Sequence, residues 1–175
     1  MATFEVLHGL PPYGDWPEGF TATGQGRHRE GYVVRFNPDG PASWVGNFQP
    51  GRSSFEEVLL HPNGRELVVI AGGQGYMVDP NHWAKREYFG GQIEVALQVP
   101  ELSSVVFGNG LWFDSLGPDG WQWRSVRISW DGMQELRRDG LRLLGQAWNP
   151  LEDHWLPFEL DLRSGQFTGG SYNGP

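Results

Sequence analysis

Cysteine is absent from the 175-residue sequence, which excludes disulfides, cysteine-ligated zinc and thiol catalysis. Lysine is nearly absent, because only Lys85 accompanies the arginines among 13 basic residues, a bias typical of a GC-rich bacterial genome. The longest aliphatic run, residues 67–71, is far shorter than the about 18 residues that span a bilayer. The first residues also lack the basic and apolar regions of a signal peptide. We therefore expect a cytoplasmic protein that does not enter a membrane.

Positive charge is also scarce. The 13 basic residues stand against 21 acidic ones, which gives a formal net charge of −8. Nucleic-acid binding requires clustered positive charge, so this balance argues against a nucleic-acid partner. An acidic surface instead favours association with a basic protein, while the oligomeric state is left open.

Glycine, proline and aromatic residues are abundant, with 26 Gly, 13 Pro and nine Trp. Disordered chains are usually poor in aromatics, so this composition predicts a folded chain of many short strands joined by tight turns. No window has clean helical periodicity, and the best helix candidate, residues 130–136, is too short to count on. The length suits one domain, so residues 1–175 are predicted to form a single all-β domain.

Strand and turn signals alternate along most of the chain. Apolar or aromatic runs that predict strands lie at residues 32–36, 66–71, 75–78, 104–107 and 111–113. Turn sequences with Pro, Asn, Asp and Gly lie at residues 37–40, 61–64, 117–120 and 149–150. The glycine-rich segment 72–75 has no Walker spacing and no lysine, so it is predicted to connect two strands rather than to bind phosphate.

The hairpins repeat four times as an apolar strand ending in Asp or Asn, a turn and an aromatic-bearing strand. The copies are residues 32–48, 76–89, 111–128 and 158–172, with pivots at Asn37, Asp79, Asp114 and Asp161. Segments 58–70 and 95–107 add a strand, a turn and a strand before two of the pivots. Each unit thus has about four strands in about 40 residues, which resembles the blade of a β-propeller.

This resemblance covers roughly residues 31–172 and is to an architecture, not to a named family. It implies an all-β, antiparallel fold of about four four-stranded units, in a small closed or an open partial propeller. A two-sheet sandwich or a barrel is the alternative. Residues 1–30 are predicted to be an irregular N-terminal arm that covers an edge strand, or else a loop over a site.

The titratable and nucleophilic residues form no recognisable catalytic set. The five histidines, His8, His28, His61, His82 and His154, include no pair at metal-ligand spacing. No serine lies in a Gly-x-Ser-x-Gly elbow. We therefore predict no metal, no cofactor and no enzymatic activity, and we expect His61, which precedes a proline in a turn, to be solvated.

Tryptophans and carboxylates occur together in two segments, which makes them the candidate binding surface. The candidate residues are Trp112, Asp114, Asp119 and Trp121 in one segment and Glu152, Asp153, His154 and Trp155 in the other. Trp121 and Trp123 are expected to share one face of a strand that either bulges near residues 124–125 or buries opposite faces at its two ends. In a meander, consecutive connections alternate between the ends of the sheet, so the two segments converge only if the units are suitably arranged.

These features favour a non-catalytic protein-binding module. Its size, acidity and lack of a catalytic set suit an immunity or inhibitor protein that neutralises a basic partner such as a bacterial nuclease toxin. The alternative is a carbohydrate-binding or carbohydrate-active protein, because glycosidases place two carboxylates across a cleft and aromatic rings stack on sugars.

Overall fold

The computed structural model describes residues 3–14, 16–22, 29–37, 39–84 and 86–174, in which 16 strands form four four-stranded sheets. None of these sheets closes into a barrel. The one helix in these ranges is a 3₁₀ turn at Pro100–Leu102, so no described helix is long and apolar enough to cross a membrane. The predicted all-β class with four four-stranded units is confirmed, and it is compatible with a propeller-like architecture. The chain divides into two compact units, Met1–Ile93 and Glu94–Pro175.

The first sheet of unit 1 combines two strands from residues 4–20 with two strands from residues 32–48. Its strands are β1 (Phe4–Leu7), β2 (Glu18–Phe20), β3 (Tyr32–Phe36) and β4 (Trp44–Phe48). Their order is β1-β3-β4-β2, and β2 runs parallel to β4 whereas the other pairs are antiparallel. Where the sequence predicted an irregular arm over residues 1–30, the chain instead supplies both edge strands. Residues 23–28 of that arm, with His28, lie outside the described residues.

The second sheet of unit 1 is an antiparallel meander. Its strands are β5 (Glu57–Leu60), β6 (Leu67–Ala71), β7 (Gln74–Val78) and β8 (Arg86–Gly90). Gly72 and Gly73 connect β6 to β7 with φ angles of 50° and 83°, which confirms the predicted hairpin connection. The core of unit 1 joins aromatic residues of the first sheet, such as Phe36 and Phe48, to aliphatic residues of β6.

Unit 2 contains two antiparallel meanders. The third sheet has strands β9 (Val95–Val99), β10 (Ser104–Gly108), β11 (Phe113–Gly117) and β12 (Gly120–Arg124). The fourth has β13 (Met133–Asp139), β14 (Arg142–Asn149), β15 (His154–Asp161) and β16 (Phe167–Gly169). One face of each sheet packs into a shared core that includes Val106, Phe113, Leu143, Phe158 and Leu160. The helix candidate at 130–136 is thus replaced by a loop and β13.

Three of the four predicted pivots lie at strand ends. Asn37 follows β3, Asp79 follows β7, and Asp161 is the last residue of β15. The side chain of Asp161 accepts a hydrogen bond of 2.8 Å from the backbone N–H of Arg163, and that of Asp79 accepts one of 2.8 Å from Asn81. The aspartates therefore stabilise the turns that follow them, as a pivot requires.

The prediction for Asp114 is wrong, because this residue lies inside β11 and not at its end. The side chain of Asn109 accepts hydrogen bonds of 3.0 Å from the backbone N–H groups of Leu111 and Trp112. These bonds hold residues 109–112 in a loop, so the strand begins only at Phe113. The turn that corresponds to the other pivots begins four residues after Asp114, at residues 118–119.

The expectation of a solvated His61 is also wrong, since its exposed fraction is only 3%. The ring Nδ1 of His61 accepts a hydrogen bond of 3.1 Å from the backbone N–H of Asn63. The backbone N–H of His61 donates to the carbonyl of Glu66 at 2.9 Å. The imidazole is therefore a buried part of the β5–β6 turn.

Candidate functional site

Trp112, Asp114 and Arg124 form a cluster on one face of the third sheet. Asp114 lies opposite Arg124, whose Nε and Nη2 donate to its two carboxylate oxygens at 2.6 and 3.1 Å. The guanidinium carbon lies 5.4 Å from the ring centroid of Trp112, within cation–π range. The hydrogen bond to Asp114 raises the pKa of Arg124 above its ordinary value. The three side chains thus engage one another.

Asp119 lies at the other end of this sheet, and Trp121 lies between Asp119 and Asp114 because it pairs with Leu116. Asp119 is exposed in the β11–β12 turn, and Trp121 is 49% exposed with its ring edge-on to Phe107 at 6.1 Å. Trp112 precedes β11 whereas Asp119 follows it, and a strand advances about 3.3 Å per residue. Asp119 is therefore roughly 20 Å along the strand from Trp112, whereas Trp121, opposite Leu116, is about 13 Å along the strand from Trp112 and about 7 Å from Asp114.

Trp121 and Trp123 do not share a face, contrary to the expectation. Trp121 pairs with Leu116 and Trp123 pairs with Ser115, so the register shifts by one residue at Gln122. Neighbouring residues of β11 point to opposite faces, and the two indoles therefore do so as well. Trp123 packs against the core of unit 2, and the bulge lies between the tryptophans rather than near residues 124–125.

The second candidate segment forms the β14–β15 turn. The side chain of Asn149 accepts a hydrogen bond from the N–H of Leu151 and donates one to the carboxylate of Glu152, both at 3.1 Å. His154 Nδ1 lies 3.1 Å from the carbonyl oxygen of Glu152, and Asp153 adopts a φ of 53°. These contacts fix the turn and leave Leu151 at its tip, 74% exposed.

Trp155 pairs with Trp148 across the two strands that flank this turn. Their ring centroids lie 5.1 Å apart with the planes tilted by 54°. Each alternates with a residue on the opposite face, as Trp148 does with the buried Ala147 of the core. The pair therefore occupies the face of the fourth sheet that points away from the core of unit 2, and both rings are partly exposed.

Two glycines bring the loop before Trp112 next to this turn. A Cβ placed on Gly110 would lie 3.5 Å from the Cα of Gly132, and one placed on Gly132 would lie 4.0 Å from the ring of Trp155. The backbone N–H of Trp148 also donates to the carbonyl of Gly132 at 3.2 Å. Residues 109–112, Gly132 and residues 148–155 therefore lie at one end of unit 2, and we name them the loop cluster.

The loop cluster contains residues that the sequence analysis missed. Leu151 had a usable signal, because an apolar residue between Pro150 and Glu152 in a turn is expected to be exposed. Trp148 also had one, since it is directly opposite Trp155 once the hairpin register is known. Gly132 had none, because its role depends on a contact between two loops that are distant in the sequence.

Two serine hydroxyl groups hold the backbone of the loop cluster by hydrogen bonds. Ser129 donates to the carbonyl of Gly132 and Ser171 donates to that of Trp148, each at 2.6 Å. Both serines are buried. Within the described ranges no three His, Asp or Glu side chains are grouped so that they could hold a metal ion. The loop cluster therefore presents the apolar Leu151, partly exposed indoles and carboxylates on a backbone that is held by hydrogen bonds.

No protein-family model matches this chain, and no curated protein is significantly similar to it in sequence. Its functional class has to be argued from the fold and from the loop cluster.

Proposed function

We propose that this protein is a non-catalytic protein-binding module and that the loop cluster is its binding surface. The observation that carries the proposal is the exposed Leu151 beside Glu152 and Asp153, with the Trp148–Trp155 pair adjacent in the same hairpin. Large apolar side chains ringed by polar groups are typical of interface hot spots. A turn fixed by its own hydrogen bonds loses little conformational entropy on binding.

The net charge of −8 favours a basic partner, because acidic groups at a rim attract a cationic protein and raise its association rate. An immunity or inhibitor protein that neutralises a basic toxin in the cytoplasm fits this combination of size, charge and rigid surface. This proposal retains Glu152, Asp153, His154, Trp155 and Trp112 as contact residues and excludes Asp119 and Trp121, which lie further along the third sheet.

The test compares variants of the loop cluster with a tryptophan variant outside it. A photo-crosslinking amino acid at position 151 identifies the partner, which is then purified and titrated by calorimetry. We expect Trp155→Ala and Leu151→Ala to weaken binding by about 2 kcal/mol or more, the usual hot-spot threshold. Trp121→Ala is the matched control and should change the affinity by less than about threefold, because its ring lies against Phe107 and about 13 Å along the strand from Trp112, outside the loop cluster.

Folding has to be separated from binding in this test. Trp155 packs against Trp148, so its truncation lowers stability as well, whereas most of Leu151 is exposed and its truncation leaves the fold intact. Loss of affinity in Leu151→Ala with an unchanged melting temperature supports the proposal. Full affinity in both Leu151→Ala and Trp155→Ala, with a loss in Trp121→Ala, would refute it.

Carbohydrate binding is the second candidate, and the Trp148–Trp155 pair favours it because partly exposed indoles offer a surface on which a sugar ring stacks. The pair shares its face with Gln146 and Glu159, which supply hydrogen-bonding groups. A glycan array, followed by titration of any hit against Trp148→Ala, separates the two candidates. Sugar binding that is lost in Trp148→Ala would favour this second function.

A further inference from the structure

Exposed large hydrophobic side chains are concentrated near the N-terminus. Ten such residues are exposed among those described, and five of them lie between residues 4 and 16. These five are Phe4, Val6, Leu10, Tyr13 and Trp16. Single exposed apolar residues are normal in soluble proteins, but a concentration of them marks an interaction site.

Tyr13 and Trp16 are the most exposed members, at 90% and 87%. They lie in the connection between β1 and β2, residues 8–17, which we name the aromatic loop. Rings of this size contribute large contact areas when they enter an apolar pocket, and tryptophan and tyrosine dominate measured hot spots.

The base of the aromatic loop is held in place. β1 pairs with β3 and β2 pairs with β4, so both ends of the loop are fixed in the first sheet. The N–H of Leu10 donates to the Glu30 carboxylate at 2.9 Å, and Phe20 is buried in the core of unit 1. Pro11, Pro12 and Pro17 also restrict the backbone, because each ring fixes φ. The loop thus presents two aromatic rings at a reduced entropic cost.

We propose that the aromatic loop inserts Tyr13 and Trp16 into an apolar pocket, flanked by basic side chains, on a different protein. The charge of the N-terminal segment indicates that the partner is a protein with basic side chains around the pocket. Residues 1–26 contain Glu5, Asp15 and Glu18 and neither lysine nor arginine. A basic rim complements the net charge of −8, since Glu5 itself is already paired with Arg35 at 2.8 Å, whereas a second copy of this chain carries the same charge and is repelled. An anionic membrane surface is repelled for the same reason.

The experiment compares two pairs of aromatic residues in unit 1. The double variant Tyr13→Ala/Trp16→Ala removes both rings of the loop, and Tyr88→Ala/Trp83→Ala removes one exposed tyrosine and one exposed tryptophan elsewhere. A photo-crosslinking amino acid at position 13 captures the partner in cells, with position 88 as the reference. The captured protein is purified and its affinity for the full chain is measured by calorimetry. We expect the loop variant to bind at least about 30-fold more weakly and the control variant to bind within about threefold of the unmodified protein.

Three outcomes overturn the proposal. The first is that position 13 captures no protein above the level of position 88, or that the captured protein binds the loop variant with unchanged affinity. The second is a dimer in sedimentation equilibrium that the loop variant abolishes. The third is a blue shift of tryptophan fluorescence on vesicles of phosphatidylcholine with phosphatidylglycerol, lost in Trp16→Phe, which assigns the loop to a membrane.

This inference does not depend on the loop cluster of unit 2. The same purified partner is titrated against Leu151→Ala and Trp155→Ala. Loss of affinity in the aromatic-loop variant alone supports the aromatic loop and counts against the loop cluster. The reverse pattern supports the loop cluster and refutes the aromatic loop.

Discussion

The phenol of Tyr76 illustrates how burial of one group affects the stability of the protein. Burial raises the pKa of Tyr76 to about 12, because the phenolate would lose its hydration, while its hydroxyl donates to the carbonyl of Gln49 at 2.8 Å. The unfolded chain has an ordinary pKa near 10. The folded state therefore retains the proton to higher pH than the unfolded state does.

The stabilisation from Tyr76 is complete below about pH 10 and should be lost as the pH rises through 12. The difference between the two pKa values corresponds to a contribution of roughly 2–3 kcal/mol to the free energy of unfolding. Urea denaturation between pH 9 and 12 measures this loss, and Tyr76→Phe is the reference because it cannot ionise. If the free energy of unfolding fell with pH by the same amount in both proteins, the prediction would be contradicted, even if the two proteins differ in stability at neutral pH.

Individual side chains were the hardest features to predict from the sequence. The solvated turn expected for His61 followed from the neighbouring proline, but the burial of its ring depends on how the β5–β6 turn folds back on itself. The common face expected for Trp121 and Trp123 followed from strict alternation, and a one-residue bulge at Gln122 reversed it. Such local shifts have no reliable sequence signal.

Among the secondary-structure elements, the β6–β7 turn is closely enclosed by neighbouring residues. A Cβ on Gly73 would lie 2.5 Å from Ser53 Oγ and 2.9 Å from the backbone N and O of Ile93, and Gly73 has a φ of 83°. Gly64 has a similar φ of 71°, but a Cβ there would meet nothing within 4 Å.

We therefore expect Gly64→Ala to cost about 1 kcal/mol, which is the strain of a left-handed alanine. Gly73→Ala should cost at least about 2 kcal/mol more, because the backbone of Ile93 has to move. Chemical denaturation of both variants measures the difference between their losses of stability. Because the two glycines have similar φ angles, this difference reports the steric contacts at Gly73 and not the backbone conformation. Equal losses would show that the turn relaxes without cost.

Strands with continuous apolar runs were mostly predicted well, but of the run at residues 111–113 only Phe113 lies in a strand. β3 has the bounds that the sequence indicated, and the turns at 61–64 and 117–120 connect strands as expected. β1 and β2 were missed because they are short and their partners lie far along the chain. β13 was missed because its charged residues, such as Arg137 and Arg138, suit an exposed edge strand but give no β-pattern.

For the whole molecule, the net charge of −8 leads to a prediction about rates. Raising the salt concentration from about 50 to 500 mM should slow association with a basic partner about tenfold or more and change dissociation far less. Glu152→Gln should lower the association rate at low salt more than Asp119→Asn does, because only Glu152 belongs to the loop cluster. Stopped-flow mixing measures both effects, and an association rate independent of salt would contradict the prediction.

The number and size of the sheets followed from the spacing of the repeats, since hairpin units of about 40 residues leave room for four strands each. The convergence of the Trp112 loop with the β14–β15 turn did not follow. It depends on the close approach of Gly110 and Gly132, which lie in the loops before β11 and β13 and carry no side chain to indicate it.

The topology of the first sheet has a consequence for the order of folding. Phe4 pairs with Phe36 and Glu18 pairs with Gly46, whereas the three meanders are closed by short turns. Closing the longer loops costs more entropy, so contacts of high sequence separation form late. In pulse-labelled hydrogen exchange we expect the amides of β1 and β2 to gain protection after those of β6 and β7. The segment that the ribosome makes before its partner strands is thus the last to fold.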